Sequence, residues 1–321
     1  VINIRPGEAA DFSLGDDAKA WEHALMRRHG RERAMRFRVI DADTDIASGI
    51  PRLRRAGDPE VEIMMAPASL DTALADVDAV IVDGTNLPTE AVAAHPRLRH
   101  IIFLGTGARS YMDPDALAAI GVSVHIITGY GDTAVAEHTI ALMWDAARKT
   151  ARMDGGIRAG GFPRFEGLQL TGRTLGLLGF GGIGREVARI AGGGGMRVLA
   201  WNRTPRAAQG VEFVDLDTLL AESHVLSLHL LLTEQTRGFL SAERIARMRP
   251  GAILLNTARG AVVDEAAMIA ALRSGHIGHA GLDVFDVEPL PPGHPLTLFP
   301  NTTLTGHSAF KTAEAADNLL L

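Results

Sequence analysis

The chain has 321 residues, a net charge of −6, 46% hydrophobic and 22% charged residues, and no cysteine. That length accommodates two domains of ordinary size, and the charge gives no electrostatic case for binding nucleic acid or an anionic membrane. Disulfides, thiolate nucleophiles and thiolate metal sites are excluded. No apolar run reaches the ~18 residues of a membrane span and no signal-peptide pattern opens the chain, so the expectation is a protein of the reducing cytoplasm.

Residues 1–35 offer one candidate helix, at 17–29, and the basic stretch 27–38 reads as a solvated helix and linker. From Arg36 onward, short apolar runs alternate with amphipathic segments. Strands are expected at 37–41, 61–65, 79–82, 100–105 and 122–127, and helices at 69–77 and 113–121. In the second helix Asp113 is placed to cap, Pro114 to take the first helical position, and Gly121 to stop it. A long helix follows over about 133–159, with Val135, Ile140, Leu142 and Met143 expected in the core. Gly155, Gly156, Gly160 and Gly161 then loosen the chain.

At Thr174 a second alternation begins, with strands near 174–179, 197–201, 225–230, 252–257, 279–285 and 302–305. Gly192–Gly195 ends a helix that one glycine would be enough to stop. Alternating strands and helices imply parallel sheets covered on both faces. The fold class is therefore α/β, with two doubly wound parallel-sheet domains and a cleft between them.

The strand at Thr174 runs into Gly179-x-Gly181-x-x-Gly184 and then an amphipathic helix, the context of a dinucleotide-binding turn. Gly179 allows the tight turn, Gly181 the close approach of a pyrophosphate, and Gly184 the packing of helix on strand. Phe180, Gly182 and Ile183 complete the turn. About twenty residues on, an acid for the ribose 2′-hydroxyl is expected. Asn202 stands there instead, followed by Arg203 and Thr204, with Arg206 nearby. A guanidinium grips a phosphate bidentately, so the preferred cofactor is NADPH, with NAD(H) possible if Arg203 faces solvent.

Three later strands carry ionisable residues to their carboxyl ends, where open parallel sheets bind ligands. Arg259 follows "GAILLNTA", Asp283 and Glu288 lie in "GLDVFDVEP", and His307 follows "TTLTG". Arg259 would bind a substrate carboxylate and polarise the adjacent carbonyl. His307 would exchange a proton with the carbonyl oxygen, and Glu288 beside it would favour the imidazolium. No metal site is expected, and His276 and His279 read as solvated loop residues flanking a glycine turn.

Six segments together resemble the D-isomer-specific 2-hydroxyacid dehydrogenases, a family that includes glyoxylate/hydroxypyruvate reductases and phosphoglycerate dehydrogenases. They are "GTGARSYMD" (105–113), "TGYGDTAVAEHTIALMWDAAR" (128–148), "GLLGFGGIGREVA" (176–188), "LNTARGAVVDEAAMIAAL" (255–272), "AGLDVFDVEP" (280–289) and "GHSAFKT" (306–312). The resemblance implies that Arg259, Glu288 and His307 are catalytic. It implies that Asp283 holds the nicotinamide carboxamide beside Thr257 and Ala258, and that Val135 packs near the nicotinamide ring. The backbone of Leu104, Gly105, Thr106 and Gly107 would cradle the substrate carboxylate.

The implied domains are a flavodoxin-like substrate domain, 1–132 plus 308–321, and a Rossmann cofactor domain, 133–307, in a homodimer. The implied reaction is NAD(P)H-dependent reduction of a small 2-oxoacid to a D-2-hydroxyacid. Specificity would come from pocket residues near 41–46, 109–111 and Tyr130. Leu231 stands where the family has proline. Rival readings on the same architecture are a phosphite dehydrogenase and a dinucleotide-binding corepressor. Glu288 argues against formate oxidation, since formate enzymes of this fold have glutamine there.

Overall fold

The computed structural model describes residues 35–41, 49, 60–64, 67–204 and 207–320. The candidate helix at 17–29, Arg206 and most of the 41–46 segment lie outside them. The chain divides into two compact units, Val1–Gly131 with Thr312–Leu321, and Asp132–Lys311.

The first unit is built on five parallel strands: β1 (Phe37–Val39), β2 (Val61–Ile63), β3 (Ala79–Val82), β4 (His100–Phe103) and β5 (Ser123–Ile126), in the order β2-β1-β3-β4-β5. This is the flavodoxin-like order, with the sheet reversing direction between β1 and β3. Among the described residues three short helices follow strands: α1 (Leu70–Leu74), α2 (Thr89–Ala93) and α3 (Pro114–Ala119). Alternate strand residues feed the two faces. Val80, Val82, Ile101 and Phe103 pack with Leu74, Leu98 and Leu117 on one side, while Val39 and Leu104 meet Leu319 on the other. Asp113 caps α3 through the N–H groups of Asp115 and Ala116, and Gly121 takes φ +82 just past its end, as the sequence predicts.

The second unit opens with α4 (Asp132–Arg148) and α5 (Thr150–Arg158). One long helix was the expectation; the chain instead breaks at Lys149, which takes a left-handed φ of 59°. Asp145 makes the break favourable by accepting from the N–H of Ala151 at 2.6 Å and from the Thr150 hydroxyl. Burial stops there as well: α4 carries the buried Val135, Ile140, Leu142 and Met143, whereas α5 buries none of its residues. Gly155 and Gly156 lie inside α5 rather than beyond it.

Seven parallel strands follow: β6 (Thr174–Leu178), β7 (Arg197–Trp201), β8 (Val211–Phe213), β9 (Val225–Leu228), β10 (Ala252–Asn256), β11 (Ile277–Leu282) and β12 (Thr302–Leu304). Their order is β12-β11-β10-β9-β6-β7-β8, so the sheet reverses direction between β6 and β9, a doubly wound topology. The edge strand β8 was not among the expected strands. Helices α6 (Gly182–Gly193), α7 (Leu216–Glu222), α8 (Ala242–Arg247) and α9 (Glu265–Ser274) cover the faces. Along β10, Ala252 and Leu254 enter one core cluster and Ile253 and Leu255 the other. That period of two is what lets one run of apolar residues serve two layers.

The last helix, α10 (Ala313–Leu320), belongs to the first unit, where Asn318 donates to the Tyr130 carbonyl at 3.3 Å.

Candidate active site

The glycine turn lies between β6 and α6. Gly179 has φ +101, and a Cβ there would come within 2.5 Å of the His229 carbonyl oxygen, so both conformation and space require glycine. A Cβ on Gly184 would meet the Gly179 carbonyl at 2.8 Å, which fixes how closely helix and turn pack. Gly181 differs: nothing lies within 4 Å of its Cβ position. It is the N-cap of α6, and no side chain bonds the first N–H groups of that helix. An uncapped helix N-terminus beside open space suits a phosphate, so these residues fit a dinucleotide. Phe180 is buried in the core, and Ile183 packs partly against it.

Asn202 closes the turn from the end of β7. Its Oδ1 accepts from the Phe180 N–H at 3.3 Å, and its Nδ2 donates to the Thr204 carbonyl at 3.0 Å. Arg203 is exposed and makes no hydrogen bond or ion pair among the described residues. Thr204 is exposed beside it.

Adjacent strands β10, β11 and β12 deliver the ionisable groups. Arg259 follows β10 in extended backbone, its Nη1 donating to the Ala258 carbonyl at 2.7 Å. Asn256 shapes this loop, accepting from Ala258 N–H and donating to the Arg259 carbonyl, each at 3.0 Å. Thr257 is turned inward, 2.8 Å from the Thr139 hydroxyl, which itself donates to the Val135 carbonyl. The Val135 and Thr257 side chains are therefore both buried.

His307 Nδ1 stands 2.6 Å from Glu288 Oε2, and Glu288 Oε1 accepts from the Phe285 N–H at 2.8 Å. Burial pushes the Glu288 carboxyl up. The hydrogen bonds from His307 and Phe285, with the charges of His307 and Arg259, outweigh that and hold it below the usual carboxylate range. The Arg259 charge thus reaches the pair. His307 Nε2 has no partner among the described residues.

Asp283 is the first residue past β11 and is 1% exposed. Its carboxylate accepts from Thr305 Oγ1 at 2.6 Å and from the N–H groups of Ser308 and Ala309 at 3.0 and 2.9 Å. His138 Nε2 lies 3.5 Å from the same carboxylate and 3.0 Å from Thr305 Oγ1. Both Asp283 oxygens accept from the loop that carries His307, and a carboxylate has acceptor capacity beyond these three bonds for the nicotinamide carboxamide that the resemblance assigns to it. His138 and Thr305 were missed as partners of this site. Their signal lay only in pattern, since His138 falls one helical turn after Val135.

His279 corrects an expectation. It is not in a solvated loop but inside β11, 6% exposed, with Nε2 2.9 Å from Thr303 Oγ1. His276 lies 2.8 Å from the Ile245 carbonyl.

Leu104–Gly107 belong to the first unit. The Leu104 N–H donates to Val82 at 2.8 Å and the Gly105 N–H to Phe103 at 2.8 Å, while Thr106 is exposed. A backbone cradle there would draw on Thr106 and Gly107. Asp41 holds the N–H groups of Asp83, Gly84 and Thr85, and Arg109 pairs with Asp115 at 2.9 Å. No group of three or more potential metal ligands occurs among the described residues, and no described helix is long and apolar enough to cross a membrane.

Residues 140–309 match the model of the D-isomer specific 2-hydroxyacid dehydrogenase NAD-binding domain. The chain belongs to this family. It is similar to a glyoxylate reductase of Aeropyrum pernix, 39% identical over 246 residues, covering 70% of this chain and 73% of that one. A D-3-phosphoglycerate dehydrogenase of Archaeoglobus fulgidus is 35% identical over 291 residues, 88% of this chain but only 55% of that longer one. Among solved structures, the TT0316 protein from Thermus thermophilus superposes with a TM-score of 0.80 at 35% identity, covering 89% of this chain and 93% of that one. The 2-hydroxyacid dehydrogenase is thus an oxidoreductase with a nicotinamide dinucleotide cofactor.

Proposed function

We propose that this dehydrogenase reduces a small 2-oxoacid, glyoxylate or hydroxypyruvate, to the D-2-hydroxyacid, with NADPH preferred over NADH. The 2.6 Å contact between His307 and Glu288 carries the reading. With Nδ1 held by a carboxylate, Nε2 is the nitrogen that carries the exchangeable proton. When bound, the reduced nicotinamide supplies the hydride to the carbonyl carbon. His307 gives its Nε2 proton to the carbonyl oxygen, and Glu288 stabilises the imidazolium before transfer. Arg259 binds the substrate carboxylate with a fixed charge and a forked geometry, and the N–H groups of Thr106 and Gly107 in the substrate-binding first unit assist.

The cofactor preference is supported by the neutral Asn202, held within the turn, and by the exposed Arg203 next to it, which has no partner among the described residues. A second copy of the chain is expected on α4–α5, where Trp144, Ile157 and the following Phe162 are 40%, 53% and 75% exposed. Sedimentation should give a dimer.

The test is turnover of a 2-oxoacid panel with NADPH and NADH, followed by nicotinamide absorbance. Faster oxidation of NADPH with glyoxylate or hydroxypyruvate is the expected result, and Arg203→Asp should weaken NADPH while sparing NADH. Fastest turnover of 3-phosphohydroxypyruvate would move the assignment towards the phosphoglycerate dehydrogenase relative. No turnover of any 2-oxoacid, with dinucleotide still bound, would end the reductase reading.

A further inference from the structure

Asp132, the first residue of α4, lies against the first residue of α6. A Cβ built on Gly182 would come within 1.7 Å of Asp132 Oδ2 and 2.6 Å of its carboxyl carbon, so the carboxylate fills the space a side chain at 182 would take. Gly182 stands between Gly181 and Gly184 of the dinucleotide turn. A carboxylate is therefore lodged at the helix end that receives phosphate, and it makes no hydrogen bond or ion pair among the described residues.

Among the described residues no side-chain cation pairs with it, and the partial positive charge of the two helix N-termini is what offsets its charge. Burial, and after it the charge of Glu186 one turn along α6, push the Asp132 carboxyl up. Glu186 is itself paired with Arg189 at 2.9 Å, and Arg185 is exposed. On α4 the next ionisable groups are Glu137, which is exposed, and His138, which is engaged with Thr305.

We infer that Asp132 couples dinucleotide binding to uptake of a proton: the pyrophosphate against Gly181–Gly184 adds negative charge beside a carboxylate that has no counter-ion among the described residues, and competes with it for the same helix N-terminus, and the bound state holds Asp132 as the acid. One proton passes from solvent to the carboxylate on binding and returns on release. The inference rests on the glycine turn being the phosphate site. Affinity is then highest at low pH and falls by up to about tenfold per pH unit between the free and bound pKa values of Asp132. Asp132 acts here on affinity, not on hydride transfer.

The experiment is calorimetric titration of NADH, whose phosphates do not change ionisation near neutral pH, into the full chain. It is run in buffers of different ionisation heat at about pH 5, 6 and 7. The native protein should take up a substantial fraction of one proton, with Kd weakening about tenfold across that range. Asp132→Asn should bind NADH several-fold to tenfold tighter at the highest pH, with the uptake reduced and the pH profile flattened. Asp132→Ser, a second uncharged polar replacement, should do the same and guards against an effect particular to asparagine. Equal affinity and equal proton uptake in native and variant proteins would overturn the inference. A Gly181→Asp variant separates the two claims. If it still binds NADH normally, the turn is not the phosphate site. If it loses NADH while the Asp132 variants change nothing, only the proton coupling fails.

Discussion

The main-chain N–H of His307 donates to the carbonyl oxygen of Asp283 at 2.7 Å, while the Asp283 carboxylate accepts from the residues on either side of His307, at Thr305, Ser308 and Ala309. One buried acid thus grips the loop before and after the imidazole. The grip has something to hold, since His307 takes a left-handed φ of 51°, a conformation that costs a non-glycine residue on the order of 1–2 kcal/mol. Asp283 is best understood as a positioning residue. It fixes the backbone of His307, and Glu288 fixes the ring.

Asp283→Asn tests this. The amide keeps the size of the acid but turns an NH2 towards one of three donors, leaving a buried N–H or hydroxyl unpaired at a cost of about 1–3 kcal/mol. We expect that loss of stability in chemical denaturation, together with a fall in kcat of about ten- to a hundredfold. The affinity for NADH should change much less. A variant with native kcat would show that the loop holds its shape without the carboxylate.

His307→Ala should lower kcat by about 10²–10⁴ with cofactor affinity intact, the range for loss of a general acid. Glu288→Gln should lower it less, because an amide still accepts from Phe285 and touches the ring but carries no charge. The Glu288 carboxyl sits below its usual value, so its contribution to stability is complete above that usual value. It is lost as pH falls through the lowered one. Acid unfolding of Glu288→Gln should lack that component. Native turnover in His307→Ala would remove the imidazole from the mechanism.

The glycine turn, the cap at Asp113 and the three strand ends were legible because each depends on local residue type: a φ, a side-chain oxygen near an N–H, an apolar run with a polar end. What was not legible depends on partners distant in sequence. Val211–Phe213 is only three residues and acquires strand character by pairing with β7. Lys149 breaks a helix that the apolar pattern alone would continue, because Asp145 offers its carboxylate to the Thr150 hydroxyl and the Ala151 N–H. His279 looks like a loop residue beside Gly278. Yet Gly278 is in a strand for packing reasons, its Cβ position lying 2.5 Å from the Gly251 carbonyl. The hydrogen bonds that Asp283 accepts from Thr305, Ser308 and Ala309 were not legible either, since those partners lie 22, 25 and 26 residues further on.

Three histidines, His279 buried and His125 and His229 half-buried, should make the protein acid-sensitive. His125, His229 and His279 are each pushed down to about 4, chiefly by burial, from a usual value of 6.5. For His125 the neighbouring His100 adds to the effect. For His279, Asp145 opposes it while Lys149 and Arg152 reinforce it. A base with a lowered folded pKa binds its proton more readily when unfolded. Stability is therefore complete above 6.5 and lost as pH falls towards 4, by at most about 1.4 kcal/mol per pH unit for each histidine. His279→Gln can keep a hydrogen bond to Thr303 but takes no proton. Its Tm should drop less than that of the native protein between about pH 7 and pH 5. Identical Tm shifts would mean that His279 protonates without unfolding the strand.

Two glycines of the second unit should respond oppositely to alanine. A Cβ on Gly260 would lie 2.0 Å from the Phe285 carbonyl carbon, 2.2 Å from its oxygen and 2.3 Å from the Asp286 nitrogen. All three are backbone atoms, so no flexible side chain can yield. The contact joins the Arg259 loop to the segment whose Phe285 N–H holds Glu288. Gly260→Ala must therefore part the guanidinium from the acid pair, at an overpacking cost of about 1–3 kcal/mol or more. We expect kcat/KM for the 2-oxoacid to fall by about tenfold or more, with NADH affinity within about twofold. Gly192 is the contrast: it lies inside α6, has nothing within 4 Å of its Cβ position, and helix termination falls to Gly195 at φ +80. Gly192→Ala should raise stability by about 0.5–1 kcal/mol through helix propensity alone. Should Gly260→Ala prove as harmless as Gly192→Ala in melting and turnover, the close approach of the two loops is not what spaces Arg259 from Glu288.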